Sequence, residues 1–85
     1  MRTASVRPEV DLRGMESIEA VAVAEQYIDS AVMAKLSPIT IIHGKGTGAL
    51  RTAIHQMLRK NKAVKSFRLG NFGEGESGVT IVELK

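Results

Sequence analysis

The segment Ile41-Ile42-His43-Gly44-Lys45-Gly46-Thr47-Gly48-Ala49-Leu50-Arg51 sets three alternating glycines between an apolar run and a helix-forming stretch. That spacing admits few backbone solutions. A chain leaving a buried strand for a helix over so short a distance turns through positive φ angles, which glycine takes without steric cost. Successive N–H groups then converge at a helix N-terminus that already carries partial positive charge. Helix starts ordinarily favour Asp or Glu, yet here Lys45 and Arg51 are added to the positive end. The local conflict resolves when a phosphate is the missing partner.

The charge map enlarges this signal. From Ser30 to Gly73 there is no Asp or Glu, and the same run holds Lys35, Lys45, Arg51, Arg59, Lys60, Lys62, Lys65 and Arg68. Six acids precede it (Glu9, Asp11, Glu16, Glu19, Glu25, Asp29) and three follow it (Glu74, Glu76, Glu83). A net charge of only +3 therefore hides a strongly basic middle, and a polyanionic partner is favoured over a neutral one.

Eighty-five residues make one domain with a single two-layer core, too small for a doubly wound nucleotide-binding sheet. Cysteine is absent, which excludes a disulfide framework, a cysteine-ligated zinc finger and a thiol nucleophile, and suits a cytoplasmic protein. No apolar run approaches the roughly 20 residues of a membrane span, and no signal-peptide core opens the chain. The glycine string lacks the Gly-x-x-x-x-Gly-Lys-Ser/Thr spacing of an ATP-binding loop and the downstream acid of a dinucleotide site, so no nucleotide cofactor is expected. Neither His43 nor His55 has metal-ligand spacing with another strong donor. No dedicated metal site is expected, and any Mg²⁺ would arrive on substrate phosphates. With Tyr27, Phe67 and Phe72 as the aromatics, recognition should rest on backbone and shape more than on base stacking.

Periodicity organises the rest. Residues 1–8 have no pattern and read as a flexible tail or linker remnant, with one domain over 9–85. Glu9 to Arg13 alternates as a half-buried strand, and Gly14 ends it. Ser17 to Ala34 reads as a helix with its apolar stripe at Ile18, Val21, Ala24, Ile28, Ala31 and Val32. Ile39 to His43 is a second strand, apolar on both faces. Ala49 to Lys60 is a second helix with Leu50, Ile54, Met57 and Leu58 inward and His55 off the stripe, hence exposed. Val64 to Leu69, with two cations, suits a sheet edge, and Val79 to Leu84 suits the centre. The glycine-rich connection Gly70 to Gly78 reads as a mobile connector, with a lid over the site as the second option. The order β-α-β-α-β-β predicts an α/β two-layer sandwich with both helices on one face of a four-stranded sheet.

Three blocks, Val10-Asp11-Leu12-Arg13-Gly14, His43 through Arg51, and Gly75-Glu76-Ser77-Gly78-Val79-Thr80-Ile81-Val82-Glu83-Leu84, resemble the signatures of the Smr (small MutS-related) domain. The resemblance covers about Glu9 to Lys85. The Asp-Leu-Arg-Gly form and the full His-Gly-Lys-Gly-Thr-Gly-Ala-Leu-Arg string are most similar to Smr domains that end a MutS-paralogue ATPase. It implies a mixed sheet of order 1-2-4-3 with the last strand antiparallel. It also implies a C-terminal module of a larger, dimerising ATPase linked to suppression of recombination, DNA repair or ribosome rescue.

Smr domains nick DNA, and some cleave RNA, so the resemblance implies an endonuclease module acting on branched or double-stranded DNA, with RNA or the ribosome as further partners. Many cleaving members carry Asp-x-His in the first block, whereas this chain has Arg13 there, and Arg cannot transfer protons near neutrality. The implied catalytic set is then His43 for proton transfer, Asp11 as orienting or activating carboxylate, and Arg13 for charge stabilisation. Gly44, Lys45, Gly46, Thr47, Gly48 and Arg51 form the implied nucleic-acid-binding set. Asp11 and Arg13, two apart on a strand, should share a face and approach His43 at the carboxyl ends of the parallel strands. The second reading is a non-catalytic clamp for branched DNA or ribosomal RNA.

Overall fold

The computed structural model describes residues 6–85 and runs β1 (Glu9–Asp11), α1 (Ser17–Met33), β2 (Ile39–Ile42), α2 (Ala49–Lys60), β3 (Val64–Leu69) and β4 (Val79–Leu84), with a short 3-10 helix at Glu76–Gly78. The strands form one sheet in the order β1-β2-β4-β3. β1 is parallel to β2, and β4 is antiparallel to both its neighbours. The expected sandwich and strand order are therefore present, with β3 at an edge and β4 inside.

Register shows why only one face is sealed. Ile39 lies opposite Val82 and Ile41 opposite Thr80, and all four are fully buried beneath the helices. On the alternate phase Thr40, Ile42 and Ile81 are half-buried and Glu83 is exposed, so the second face lies open. The free edge of β3 is interrupted by a register shift between Val64 and Ser66 that leaves Lys65 exposed, a bulge and a charge that discourage pairing with another chain.

The first helix follows the expected stripe at Ala24, Ile28 and Ala31, with Val21 half-buried against the core, and departs from it at Ile18 and Val32. Its buried positions are Ala20, Ala24, Ile28 and Ala31, whereas Ile18 is 88% exposed and Val32 faces solvent. The true seam is mostly alanine, and Ile18 sits two residues from Ala20, nearly across the helix axis at 3.6 residues per turn. Ile18 instead lines an apolar groove between the helices with Val21, Ala53 and Met57. In α2 the stripe is as expected, with Ile54, Met57 and Leu58 buried and Leu50 half-buried.

β1 stops at Asp11, short of the expected Arg13, because the Asp11 carboxylate accepts the Arg13 N–H at 3.0 Å and turns the chain toward Gly14, whose φ is +85°. Of the expected tail, residues 1–5 lie outside the described residues. Val6 packs against the core, the Arg7 carbonyl accepts the Tyr27 hydroxyl, and the Pro8 carbonyl accepts the Thr40 N–H at 2.9 Å. No helix among the described residues is long and apolar enough to cross a membrane.

This core assignment separates two isoleucines. Ile54→Ala should cost about 2–5 kcal/mol in urea unfolding, through lost burial plus a cavity. Ile18→Ala should stay within about 0.5 kcal/mol of the parent protein, since the side chain is already in solvent. Equal losses would return Ile18 to the core.

Candidate phosphate-binding site at the glycine loop

The loop that follows β2 is held from beneath by the chain that begins β4. His43 N–H and Gly44 N–H both donate to the Gly78 carbonyl, at 3.1 and 2.9 Å. From there Gly44, Gly46 and Gly48 take φ angles of +81°, +22° and +88°, the left-handed turns that the glycine spacing predicted. Gly48 is the N-cap of α2 and offers no side-chain cap, although Thr47 Oγ1 accepts the Ala49 N–H at 3.3 Å. Among the described residues, the N–H groups of Lys45, Gly46, Thr47 and Gly48 find no acceptor in the protein. They line a cleft of ≈ 390 Å³ whose opposite wall is Gly14 to Ser17, the start of α1, so two helix N-termini face the same space.

Three cations are seated against glycines around this cleft. A methyl group on Gly44 would lie 3.3 Å from the Arg13 stem, one on Gly78 would lie 3.5 Å from the Lys45 stem, and one on Gly48 would meet an Arg51 guanidinium nitrogen at 2.9 Å. Glycine at position 48 thus satisfies two demands, a backbone φ that disfavours side chains and space for Arg51 to fold across the helix start. Glu16 is the one acid lining the cleft.

His43 is buried, with only 4% of its surface exposed. Its Nδ1 lies 2.9 Å from the Gly44 carbonyl and its Nε2 lies 2.8 Å from Thr80 Oγ1. A carbonyl only accepts, so Nδ1 carries the proton and Nε2 of the neutral ring accepts the Thr80 hydroxyl. Thr80 Oγ1 in turn lies 2.7 Å from His55 Nε2, which donates. The chain His55 to Thr80 to His43 to Gly44 is therefore fully satisfied. It also aims the loop: in a trans peptide C=O and N–H point oppositely, so a Gly44 carbonyl held by His43 turns the Lys45 N–H away from the imidazole.

Asp11 and Arg13 do share one side, but they engage each other. Arg13 Nη2 meets Asp11 Oδ2 at 2.6 Å and Nε meets Oδ1 at 2.9 Å, both side chains being largely solvated. The Arg13 hydrogen bond holds the Asp11 carboxyl down at about 2. Asp11 pairs with Ile42 on the open face, whereas His43 lies with Thr80 and α2 on the covered face. Arg13 reaches the glycine loop, and the Asp11 carboxylate is separated from the His43 ring by the sheet.

Two members of the network escaped the sequence reading. His55, expected to be exposed, is half-buried beside Thr80, with its ring 4.9 Å from that of Phe67. Thr80 itself carried a usable signal, because it alternates with Val82 and Leu84 on the core face of β4, and a buried hydroxyl requires a partner.

Fold and site together define a two-layer α/β domain with a glycine-loop cleft flanked by cations at the carboxyl ends of its parallel strands. The Smr domain family profile matches residues 10–85, and the chain belongs to that family. It is 63% identical over 81 residues to Endonuclease MutS2 of Clostridium novyi and 53% identical over 85 residues to Endonuclease MutS2 of Clostridium tetani. Those matches cover 95% and 100% of this chain but 10% and 11% of the two relatives, so the chain spans about a tenth of their length. The crystal structure of the Smr domain of Thermus thermophilus MutS2 superposes with a TM-score of 0.89 at 48% identity, covering 91% of this chain and 96% of that one. The stand-alone small MutS-related protein YdaL of Escherichia coli shares the fold, with a TM-score of 0.86 at 23% identity over 92% of this chain and 64% of its own.

The histidine chain makes stability depend on pH. Burial lowers the His43 pKa, the bond that Nδ1–H donates to the Gly44 carbonyl opposes that shift, and Arg51 lowers it further. Burial, then His43, Arg59 and Arg51, lower that of His55. With both folded pKa values depressed, the unfolded chain binds more protons once pH falls below about 6.5. The melting temperature should therefore fall between pH 7.5 and 5, and the double variant His43→Gln/His55→Gln should flatten that profile. A parent profile that is already flat would exclude the neutral pair.

Proposed function

We propose that this Smr domain binds the sugar-phosphate backbone of nucleic acid in the glycine-loop cleft and nicks it in a structure-dependent, sequence-independent way. The observation that carries this reading is the convergence of unpartnered loop N–H groups, two helix N-termini, Lys45 and Arg51 on one cleft lined by a single acid, with the Arg13–Asp11 pair beside the loop at Gly44. The name borne by its relatives, Endonuclease MutS2, supports phosphodiester cleavage as the activity served. DNA is the primary substrate on this reading and structured RNA the second, with the domain acting as part of a larger ATPase in suppression of recombination or ribosome rescue.

Cleavage of a phosphodiester depends chiefly on positioning and on neutralising charge at the phosphoryl oxygens. Lys45 and Arg51 supply that charge, and Arg13, oriented by a permanently ionised Asp11, supplies more from the rim. His43 contributes by holding Gly44, and hence the loop, in register. The burial of His43 also favours a second reading, a clamp that grips branched DNA or ribosomal RNA without cutting. Incubation with supercoiled plasmid and with structured RNA, with and without chelator, separates the two. Nicked circles or RNA fragments support the nuclease; binding without product supports the clamp.

Backbone binding has a salt signature. The logarithm of affinity should fall linearly with the logarithm of salt, and Lys45→Ala or Arg51→Ala should each reduce the slope by about one unit. A salt-independent affinity would sink the backbone reading.

For His43→Ala, affinity and melting temperature should fall together, since losing a buried, hydrogen-bonded side chain costs about 1–3 kcal/mol. Nicking should follow affinity. A loss of nicking of about 100-fold with affinity unchanged would instead assign proton transfer to this ring.

A further inference from the structure

Two of the three aromatic side chains are occupied within the fold. Phe67 packs under His55, with the Arg59 guanidinium 5.9 Å from its ring centre, and Tyr27 is half-buried with its hydroxyl on the Arg7 carbonyl. Phe72 is 94% exposed. It sits on the connection between β3 and β4, which the sequence suggested would be a mobile connector. The structure gives that segment a defined internal frame. Glu74 N–H donates to the Asn71 carbonyl at 2.9 Å, closing a β-turn with Phe72 and Gly73 at its centre, and Gly73 takes the φ of +88° that the third position of a type II turn requires. The Glu74 carboxylate accepts the Asn71 N–H and an Arg68 guanidinium N–H, each at 2.8 Å, tying the turn back to β3. Gly70 N–H donates to the Glu76 carbonyl at 3.0 Å and closes the base of the segment.

This frame stands at the cleft end of the sheet. Its last residue, Gly78, supplies the carbonyl that His43 and Gly44 N–H groups share, and packs against the Lys45 stem. The chain from Phe72 to Gly78 spans no more than about 20 Å even fully extended. The ring is isolated, its neighbours Asn71, Gly73, Glu74, Gly75 and Glu76 being exposed and polar, which does not describe an apolar docking patch for a protein. The two glutamates also make this tip unfavourable for phosphate. A π-face carried on a hydrogen-bonded turn at the same end of the sheet as the glycine-loop cleft, with anionic flanks that repel backbone, fits a nucleobase.

We propose that Phe72 is a base-stacking platform: when a strand's backbone occupies the glycine-loop cleft, an unpaired base of that strand stacks on the Phe72 ring. The inference rests on the backbone-binding reading and deepens it, because bases inside a duplex hide their faces, whereas gaps, flaps and frayed junctions expose them. The cleft would accept any backbone, and the ring would favour unpaired positions. Stacking on an aromatic ring is tolerant of sequence, so recognition would remain structure-dependent without a sequence preference.

The test uses Phe72→Ala and Phe72→Trp. Position 72 is in solvent, so both variants should melt with the parent protein. Phe72→Ala should weaken binding to a single-stranded or gapped oligonucleotide by about tenfold, while leaving fully paired duplex affinity and the salt slope unchanged. The chain has no tryptophan, so Phe72→Trp introduces a single indole that can be excited selectively over Tyr27. Its emission should be quenched by a single strand and not by an abasic strand of equal length bound to the same extent. Salt-dependent binding that Phe72→Ala leaves unchanged, or weakens equally for duplex and single strand, overturns the stacking platform and leaves the backbone reading standing. Absence of salt-dependent binding to any of these ligands overturns both.

Discussion

The antiparallel pairing of β2 with β4 is the contact on which core and site both depend. Within the strands it aligns Ile39 with Val82 and Ile41 with Thr80, which fills the face beneath the helices. One step beyond the strand end the same alignment brings the Gly78 carbonyl under the N–H groups of His43 and Gly44 and sets the Thr80 hydroxyl beside the His43 ring. A slip of one residue would turn Thr80 to the open face and remove the acceptor that connects the two histidines. The glycine loop is therefore shaped by a long-range sheet contact as much as by its own glycines. That division explains why a mobile-looking sequence of alternating glycines can present a fixed set of N–H groups.

The legibility of this arrangement in the sequence followed the type of interaction. Strand and helix order, the edge placement of β3 and the central placement of β4 were readable because they rest on local periodicity and charge. The three positive-φ glycines were readable because glycine spacing reports backbone conformation directly. In α1 the seam at Ala24, Ile28 and Ala31 was readable, whereas Ile18 and Val32 were counted with it and Ala20 was not, because alanine is a weak hydrophobic signal beside larger apolar residues. The connection of His43 with Thr80 and His55 was not readable from spacing. It joins residues far apart in the chain through the β2–β4 register, which only the fold supplies. The same holds for Asp11: its position two before Arg13 correctly placed both on one side, but which partner its carboxylate would take is decided by an Asx turn that bends β1 away after three residues.

The basic middle of the chain divides by use. Arg68 is committed to Glu74 and serves the β3–β4 turn, and Arg59 lies over Phe67. Lys65 marks the bulged edge. Of the acid-free run, Lys45 and Arg51 are the cations that line the cleft, and Arg13 from the first block, paired with Asp11, packs its stem beside Gly44. A count of basic residues therefore overstates the charge gathered at the cleft, and seating against glycine is the better guide to which cations belong to it.

Those seated cations also set the energetics of an empty cleft. Lys45 and Arg51 stand at the positive end of α2, facing the start of α1, with Glu16 as the acid that lines the space. Like charge added to a positive helix terminus is unfavourable, by a few tenths to about 1 kcal/mol per group at exposed positions. An anion bound there would relieve that repulsion while satisfying loop N–H groups that have no acceptor within the fold. Binding and stability are then linked through the same charges, because any ligand that binds only the folded state raises its stability in proportion to the logarithm of occupancy. The electrostatic conflict first visible as Lys45 and Arg51 beside three glycines would in this sense be the source of affinity for an anion, and the buried histidine chain holds the Gly44 end of the loop against relaxing to escape it.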